Sequence, residues 1–521
     1  MLKAIQLVRP FRPLVVALVA TGALLMATPA SAVCFQYRLP AAGMTGTSTC
    51  SPAAAGNITE LILSLVSNGG VLPAGEVSKP YNYSLSQLLS VTGDPNYSGS
   101  GVTWSILSGS LPPGLSLASN GVISGTPTTA NAAGSSFQVK AAYKTATGQQ
   151  AYTIVVNGAV LHVTQIAAGT YHTCAVTITG GAKCWGKNLA GELGIGSTGS
   201  QALTPVDVTG LSSGVASIAV GFGHTCAVTT GGGLKCWGDD GMGQLGDNAA
   251  KASRSTPTDV AGLTSGVAQV SAGSNHTCAV TTAGGLYCWG AGSSGQLGYG
   301  WATTYQPTPM DVSGLTSGVS RVSAGSYHTC ALTTAGGLKC WGADGYGQLG
   351  NNVAIADQVA PVDVAGLTSG VTSVTTGGYH TCAITTGGGL MCWGQDTYGQ
   401  LGDDGILANK PTPVGVFGLT SGVLNASAGG VHTCAITASS ALKCWGGNYQ
   451  GELGINSVGN LYVPGDVVGL TSGVSSVSAG WEHTCAVTPA GDAKCWGWDS
   501  NGQLGDGAPL ANKLVPVSVS P

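Results

Sequence analysis

Cysteine and histidine recur together at a spacing that could support either disulfide or metal chemistry. Seven segments read His-Thr-Cys, beginning at residues 172, 224, 276, 328, 380, 432 and 483, and a Cys-Trp-Gly follows each with its cysteine ten residues after the first. A structural zinc site needs four ligands, whereas each unit offers two thiols and one imidazole. We therefore expect disulfides and no bound metal or other cofactor.

The two cysteines of each unit flank a turn rich in glycine, such as 231–233, which predicts that they face each other on adjacent antiparallel strands. The pairs expected are Cys174 with Cys184, Cys226 with Cys236, Cys278 with Cys288, Cys330 with Cys340, Cys382 with Cys392, Cys434 with Cys444, and Cys485 with Cys495. Cys34 and Cys50 complete the sixteen cysteines and are also disulfide candidates, with their pairing left open. Such bonds persist mainly in exported proteins.

The repeated histidines and tryptophans have structural explanations. A sevenfold arrangement spaces equivalent imidazoles widely, so we expect each to be buried and hydrogen-bonded to the backbone of a neighbouring turn. The tryptophan next to each second cysteine must point to the opposite face of its strand, where it can fill the space between units. No acid and base pair, Ser-His-Asp set or phosphate-binding loop stands out, and we expect no enzyme activity.

The elements that position these residues repeat every 51 or 52 residues from about residue 158 onward. Each unit holds four short runs typical of strands, which predicts an all-β fold with seven propeller blades. The array begins near Leu161 to Ile166 and ends with the run Val515 to Val519. We expect these two runs to share one blade and so to close the ring.

The residues before the repeats divide into three parts. Residues 1–32 have the basic start, apolar run and Ala30-Ser-Ala32 ending of a secretory signal peptide. We assign no structure to 33–67. Residues 68–157 contain alternating runs separated by Gly, Pro and Asn, as in a β-sandwich. The stretch from Leu111 to Thr128 resembles the immunoglobulin-like domains of bacterial surface and secreted proteins. The four expected regions are 1–32, 33–67, 68–157 and 158–521.

Three motifs together carry a resemblance to a known family. Ala-Gly-x-x-His-Thr, Cys-Trp-Gly and Gly-Gln-Leu-Gly recur in the units, and the series resembles the regulator of chromosome condensation repeat family, in its cysteine-containing, alpha-tubulin-suppressor-like variety. That resemblance implies a seven-bladed β-propeller. It also supplies two functional precedents, guanine nucleotide exchange and secreted enzyme inhibition.

Function is expected where otherwise identical units differ. Aromatic residues recur at two variable positions of the repeat. One position lies just before the histidine, where five of the seven units carry an aromatic residue, and the other lies in the loop after Cys-Trp-Gly. We expect these residues to contact a partner: Tyr171, Phe222, Tyr327, Tyr379, Trp481, Tyr346, Tyr398, Tyr449 and Trp498.

The expected protein is a secreted, periplasmic or cell-surface monomer that binds a protein or glycan partner through one propeller face. A guanine nucleotide exchange factor or signalling regulator, and a secreted enzyme inhibitor, are the alternatives. The net charge is −4, with 18 Lys and Arg spread along the chain, which argues against nucleic acid and predicts a weakly charged contact face. No segment is apolar over enough residues to predict a transmembrane helix.

Overall fold

The computed structural model describes residues 61–66, 68–249, 251–353 and 355–521. The expected signal peptide, Cys34 and Cys50 lie outside these residues. The described part is built from β-strands and two short 3-10 helices, Asn68–Gly70 and Leu85–Leu88. No helix in it has the length and hydropathy needed to cross a membrane. The prediction of an all-β fold is therefore confirmed.

The strands up to residue 157 form an immunoglobulin-like sandwich around the buried Tyr81, Trp104, Phe137 and Tyr152. Three sheets compose it, with the strand orders β1-β4, β2-β9-β8-β5 and β3-β7-β6. Its strands are β1 (Ile62–Leu65), β2 (Gly75–Glu76), β3 (Tyr81–Ser84), β4 (Leu89–Thr92), β5 (Thr103–Gly109), β6 (Leu115–Leu117), β7 (Val122–Gly125), β8 (Asn131–Tyr143) and β9 (Ala146–Asn157).

The first of these strands lies N-terminal to the expected start of the sandwich at residue 68. β1 pairs antiparallel with β4, with Ile62 opposite Thr92 and Leu65 opposite Leu89. Leu63 on β1 is 6% exposed and belongs to the sandwich core. The sandwich therefore includes the end of the segment to which the sequence assigned no structure.

Seven four-stranded antiparallel sheets follow, each made from one contiguous stretch of chain, and we number them blades 1 to 7. Blade 1 contains β10 (Val163–Ala168), β11 (His172–Thr177), β12 (Ala182–Gly186) and β13 (Ala202–Asp207). Blade 2 contains β14 (Val215–Val220), β15 (His224–Thr229), β16 (Leu234–Gly238) and β17 (Arg254–Asp259). Blade 3 contains β18 (Val267–Ala272), β19 (His276–Thr281), β20 (Leu286–Ala291) and β21 (Tyr305–Asp311). Blade 4 contains β22 (Val319–Ala324), β23 (His328–Thr333), β24 (Leu338–Gly342) and β25 (Gln358–Asp363). Blade 5 contains β26 (Val371–Thr376), β27 (His380–Thr385), β28 (Leu390–Gly394) and β29 (Lys410–Gly415). Blade 6 contains β30 (Val423–Ala428), β31 (His432–Thr437), β32 (Leu442–Gly446) and β33 (Leu461–Asp466). Blade 7 contains β34 (Ser476–Ala479), β35 (His483–Val487), β36 (Ala493–Gly497) and β37 (Lys513–Ser518).

The strand directions define two faces of the propeller. In blade 1, His172 pairs with Gly186, so the start of the second strand and the end of the third lie at the same edge of the sheet. The loops at this edge, 169–171 and 187–201 in blade 1 and their counterparts in the other blades, form what we call the upper face. The β-hairpin turns and the connectors between blades form the lower face.

The ring closes differently from the prediction that both chain ends share one blade. The run from Val515 to Val519 belongs to the last strand of blade 7, while β10 is the first strand of blade 1, and every blade is complete within one unit. What the ends share is a connector. Leu161 N donates to Val519 O at 3.0 Å, and Ala493 N donates to Leu161 O at 3.0 Å.

This split connector reproduces a contact made at every other blade junction. Between blades 1 and 2, Leu211 N donates to Val208 O and Ala182 N donates to Leu211 O. Leu161 therefore occupies the place of a connector leucine, although it comes from the opposite end of the chain. It is 4% exposed and packs in one cluster with residues of blades 1 and 7.

The sandwich meets the propeller on the lower face. Val160 N donates to Glu76 Oε1 at 3.4 Å, and the imidazole of His162 lies between Glu76, at 3.5 Å, and Asp492, at 2.9 Å. Asp492 belongs to the β-hairpin turn of blade 7, which is a lower-face element. The upper face is built from other loops.

Candidate functional site

The seven repeated histidines form a continuous ring of contacts between neighbouring blades. His172 Nε2 lies 2.8 Å from Thr225 Oγ1 of blade 2, and the same contact recurs at each junction. It closes through His483 Nε2 and Thr173 Oγ1, which lie 2.8 Å apart and join blade 7 to blade 1. The other five contacts are His224 with Thr277, His276 with Thr329, His328 with Thr381, His380 with Thr433 and His432 with Thr484.

A backbone carbonyl fixes the direction of each of these hydrogen bonds. Thr225 Oγ1 donates to Glu192 O at 2.9 Å, so its single proton is used and it must accept from the imidazole. Trp237 Nε1 of the same blade donates to that carbonyl at 2.8 Å. One carbonyl of blade 1 therefore holds the threonine and tryptophan of blade 2, and His172 is the tautomer protonated on Nε2.

The histidines are therefore structural. Each is fully buried, and burial lowers the pKa of all seven to about 3 or 4: His172, His224, His276, His328, His380, His432 and His483. They are neutral at neutral pH and are not exposed to a substrate. The expectation that they bond to turn backbone was wrong, because the hydrogen-bond partner of each Nε2 is the threonine hydroxyl of the next blade, at 2.8 to 2.9 Å.

The glycine that precedes each histidine by three residues leaves room for the imidazole. At Gly221, an added Cβ would lie 2.5 Å from His224 Cε1 and 2.5 Å from Gly273 O. Any side chain at this position would displace the ring of histidines. The Ala-Gly-x-x-His-Thr pattern is thus explained by packing at the junctions between blades.

The cysteine pairs cross-link the second and third strands of each blade. Cys174 and Cys184 face each other directly, and all seven pairs are bonded with Cα atoms 4.0 to 4.1 Å apart. Each tryptophan that follows a second cysteine is fully buried, and Trp237 of blade 2 packs against Cys174 and Cys184 of blade 1. The prediction that these tryptophans fill the space between blades is confirmed.

Eight of the nine aromatic residues expected at a binding surface come together on the upper face in three clusters. Cluster A spans the closure of the ring, with Tyr171 in edge contact with Phe222 at 5.1 Å and with Trp498 at 5.5 Å between ring centres. Cluster B places Tyr379 5.1 Å from Tyr346 and 6.1 Å from Tyr327. Cluster C joins Tyr398 to Tyr449 at 5.7 Å.

The ninth residue, Trp481, lies at the central opening of the same face. It lines a cavity of about 80 Å³ formed by the loops before the histidines. Its ring lies so close to Gly430 that an added Cβ there would be 2.9 Å from it. Small-molecule sites usually enclose roughly 300–1,000 Å³. The opening is therefore too small for such a ligand, and the aromatic clusters around it form a broad surface.

Blade 3 interrupts the aromatic arc. Ser274 and Asn275 occupy its variable position before the histidine, where five other blades carry an aromatic residue. The loop after its third strand instead exposes Trp301, which is 57% exposed, and leads to Tyr305, whose ring lies 3.5 Å from Lys251 Nζ. These residues lie outside the two variable positions of the repeat, so the pattern of the repeat does not identify them.

Buried carboxyl groups support the loops of the upper face. Asp240 and Asp396 are each 1% exposed, and their Oδ1 atoms accept from the backbone N of Leu245 and Leu401 at 3.0 Å. Burial raises the pKa of each to about 6. Asp344 and Asp499 behave in the same way. In blades 1 and 6 an asparagine takes this position and a glutamate follows four residues later.

Comparison with known families agrees with the architecture. The family "RCC1-like domain" matches residues 251–520, and the "Regulator of chromosome condensation (RCC1) repeat" matches 163–192, 215–244 and 183–228. The family "Putative Ig domain" matches residues 64–157. The first match alone spans more than half of the chain.

Two relatives match more than half of this chain in sequence. The ultraviolet-B receptor UVR8 of Arabidopsis thaliana is 32% identical over 356 residues, which are 66% of this chain and 78% of that protein. The human E3 ubiquitin-protein ligase HERC2 is 31% identical over 338 residues, but these are only 7% of its length.

Solved structures support the fold alone, since their identities are below 25%. Human WBSCR16 superposes with a TM-score of 0.56 at 24% identity, covering 65% of this chain and 89% of that one. Prp20p of Saccharomyces cerevisiae gives 0.58 at 23% identity, covering 69% and 88%. Seven blades of four strands, the repeated motifs and these matches lead to one conclusion: the chain belongs to the regulator of chromosome condensation (RCC1) repeat family.

Proposed function

We propose that this protein is an exported, non-enzymatic binding module that contacts a macromolecular partner with the upper face of its propeller. The observation that carries the proposal is the grouping of the variable aromatic residues into clusters A, B and C on that face. Phe222, Tyr327 and Tyr449 are 39%, 40% and 60% exposed. Partly exposed aromatic residues grouped on one face are typical of protein interfaces.

The position of the sandwich supports the choice of face. It contacts the lower face through Glu76 and His162, whereas the aromatic clusters lie on the loops of the upper face. A partner on the upper face would therefore not compete with that contact. In this arrangement the sandwich serves as a spacer or as a second adhesive unit.

Export is proposed from two independent features. The basic, apolar and small-residue order of 1–32 is that of a signal peptide. Seven disulfides are typical of an oxidising compartment. An intracellular guanine nucleotide exchange factor would have to keep them in a reducing environment, which makes that alternative the weaker one.

A protein partner fits the precedents among similar folds. Solved structures describe Kap60 bound to yeast Prp20 and the binding properties of Prp20p to Gsp1p and histones. Such likeness is an analogy of fold, and the partner of the present chain must follow from its own surface. Inhibition of a secreted enzyme would be one form of the same protein contact.

The test is affinity capture from the native organism's envelope and medium with the purified chain. A Tyr327→Ala, Tyr379→Ala, Trp481→Ala variant should lose the captured partner. The matched control changes three exposed lower-face residues, Ile178→Ala, Phe417→Ala and Val468→Ala, and should keep it. Thermal melting of both variants checks that they fold. Loss in the control with retention in the upper-face variant would overturn the proposal.

A further inference from the structure

The acidic residues of the propeller are concentrated on its upper face. Thirteen carboxyl side chains lie on loops of this face: Glu192, Asp239, Asp240, Asp247, Asp344, Asp357, Asp396, Asp403, Asp404, Glu452, Glu482, Asp499 and Asp506. Five basic side chains lie there or on the first residue of the adjoining strand: Lys187, Lys251, Arg254, Lys410 and Lys513. The formal charge of these loops is therefore negative. Six of the carboxyl groups lie beneath the surface at 1% exposure, and the other seven face solvent at least in part; the six are Glu192, Asp240, Asp344, Asp396, Glu452 and Asp499.

In the rest of the propeller, acidic and basic residues are equal in number. Its remaining acidic residues are Asp207, Asp259, Asp311, Asp363, Asp466 and Asp492, and its remaining basic residues are Lys183, Arg321, Lys235, Lys339, Lys443 and Lys494. Several of them pair across strands, as Lys235 does with Asp259 at 2.6 Å. The net charge of −4 for the whole chain conceals this asymmetry, because basic residues precede the propeller. The expectation of a weakly charged contact face did not include this difference between the two faces.

The upper-face cations are already engaged by this chain. Arg254 lies 2.8 Å from Asp247, Lys410 lies 3.2 Å from Asp403, and Lys513 lies 3.4 Å from Asp506. Lys251 lies over the ring of Tyr305. These contacts leave carboxylates such as Asp357 and Asp404, both exposed, without a basic partner among the described residues.

The aromatic clusters differ in whether a cation of this chain lies over their rings. In cluster A, Lys187 Nζ lies 4.6 Å from the ring centre of Tyr171 and 5.8 Å from that of Phe222. This lysine stands where the other blades carry Asp239, Ala291, Ala343, Gln395, Gly447 and Trp498. Among the described residues, no cation lies over the rings of clusters B and C. Rings of this kind bind ammonium and guanidinium groups on their faces.

We propose that the partner of the upper face is a basic protein segment, whose Arg and Lys side chains lie on clusters B and C while the surrounding carboxylates neutralise them. This inference rests on the proposed function, since it names the partner class for the same face. Cluster A, with its own lysine, shows the geometry that the partner would reproduce at the other two. An acidic face also steers a cationic partner over several ångströms and raises the association rate.

Two of the carboxylates can be neutralised with little structural change. Asp404 has a φ of 57°, and the equivalent positions of other blades carry Asn248, Asn352 and Asn456 with φ of 57° to 61°. Asp357 Oδ1 accepts from Asp344 N, as the side chain of Asn409 does from Asp396 N in blade 5. Asparagine therefore fits both positions, and Asp357→Asn, Asp404→Asn removes charge while keeping the loops.

The experiment measures binding of a fluorescent nona-arginine peptide to the purified full chain at low and at physiological ionic strength. We expect D357N/D404N to weaken binding by roughly three- to tenfold and to reduce its salt dependence. The control D207N/D311N removes the same charge from the lower part of the propeller and should change binding by less than about twofold. A Tyr327→Ala, Tyr379→Ala, Tyr398→Ala variant should weaken binding at both salt concentrations.

Two further probes, nona-glutamate and a neutral oligosaccharide, separate this inference from the proposed function. If either binds and the aromatic variant abolishes its binding while nona-arginine does not bind, the upper face is a binding surface but its partner is not basic. Nona-arginine binding that is lost in D207N/D311N and kept in D357N/D404N would overturn the inference as well. No binding of nona-arginine at low ionic strength would also overturn it.

Discussion

His483 Nε2 lies 2.8 Å from Thr173 Oγ1, and this contact joins the last blade to the first with the geometry found at every other blade junction. Thr173 Oγ1 also donates to Gln503 O at 2.8 Å, and Trp185 Nε1 donates to the same carbonyl. At the other junctions the chain continues from one blade to the next. Here no peptide bond runs from blade 7 to blade 1, so noncovalent contacts such as these and those of Leu161 hold the two blades together.

Replacing Thr173 with valine should destabilise the ring at this closure. Thr173→Val removes the acceptor of His483 and one donor to Gln503 O in a fully buried site, which should cost about 1–3 kcal/mol in the free energy of unfolding. Thr277→Val removes the equivalent hydroxyl between blades 2 and 3. Denaturant unfolding of both variants gives the comparison, and the loss at Thr173 should be at least as large. An unchanged midpoint for Thr173→Val, like that expected for the exposed Thr282→Val, would contradict the role of the contact.

Leu161 offers a second test of closure. Leu161→Ala should cost about 2–5 kcal/mol, because the side chain is buried between blades 1 and 7. Leu263→Ala makes the same truncation in a covalent connector. We expect similar losses of stability, but faster hydrogen exchange at Trp185 Nε1 only in Leu161→Ala, because only that variant loosens the closure. Equal exchange in the two variants would show that the shared connector does not hold the ring.

Much of this architecture could be predicted from the sequence, because the repeat reveals its period directly. The phase of the repeat could not. A run such as Pro205-Val-Asp207 is compatible with pairing to the strand before it or to the next unit, and only the observed pairing of Lys183 with Asp207 decides. The partner of His172 is 53 residues away in the next unit, so no local pattern identifies it.

The candidate site was predicted in part for similar reasons. Variable positions within a constant repeat located the aromatic residues, and the structure groups them. The charge of the upper face was missed because a total over 521 residues averages over position. The contrast between the two ends of each repeat unit could have revealed this charge. Carboxylates follow Cys-Trp-Gly in most units, whereas no charged residue occurs in the connectors such as 208–214.

The disulfides should stabilise individual blades without controlling closure. Cys278→Ser, Cys288→Ser removes the bridge of blade 3, and we expect a loss of about 1–3 kcal/mol, since the bridge closes a loop of only ten residues. Thermal melting measures this loss. Hydrogen exchange at Trp185 Nε1, beside the closure, should stay unchanged. Intact mass spectrometry of the unmodified chain should show two hydrogens fewer for each of the seven bridges than after reduction, and a mass equal to that of the reduced chain would contradict the assignment.

The buried histidines predict a loss of stability on acidification. Burial holds the pKa of His276 at about 3, below its ordinary value of 6.5, so unfolding takes up a proton between these pH values. The stability contributed by the neutral histidines is therefore present above pH 6.5 and is lost as the pH falls toward 3. The buried aspartates act in the opposite direction. The pKa of Asp240 and of Asp396 is raised from 3.8 to about 6, so their contribution is present below pH 3.8 and is lost as the pH rises through 6.

The variant Asp240→Asn, Asp396→Asn separates the two effects. Asparagine already occupies the equivalent position in blades 1 and 6, where Asn188 and Asn448 accept the same backbone hydrogen bond. Removing two buried charges should raise the free energy of unfolding at pH 7.5, by about 1 kcal/mol for each site. At pH 4 the aspartates of the unmodified chain are protonated when folded, so the two proteins should differ little. Urea unfolding at both pH values measures the difference. A larger gain at pH 4 than at pH 7.5 would reverse the predicted sign and show that burial does not set the pKa of these carboxyl groups.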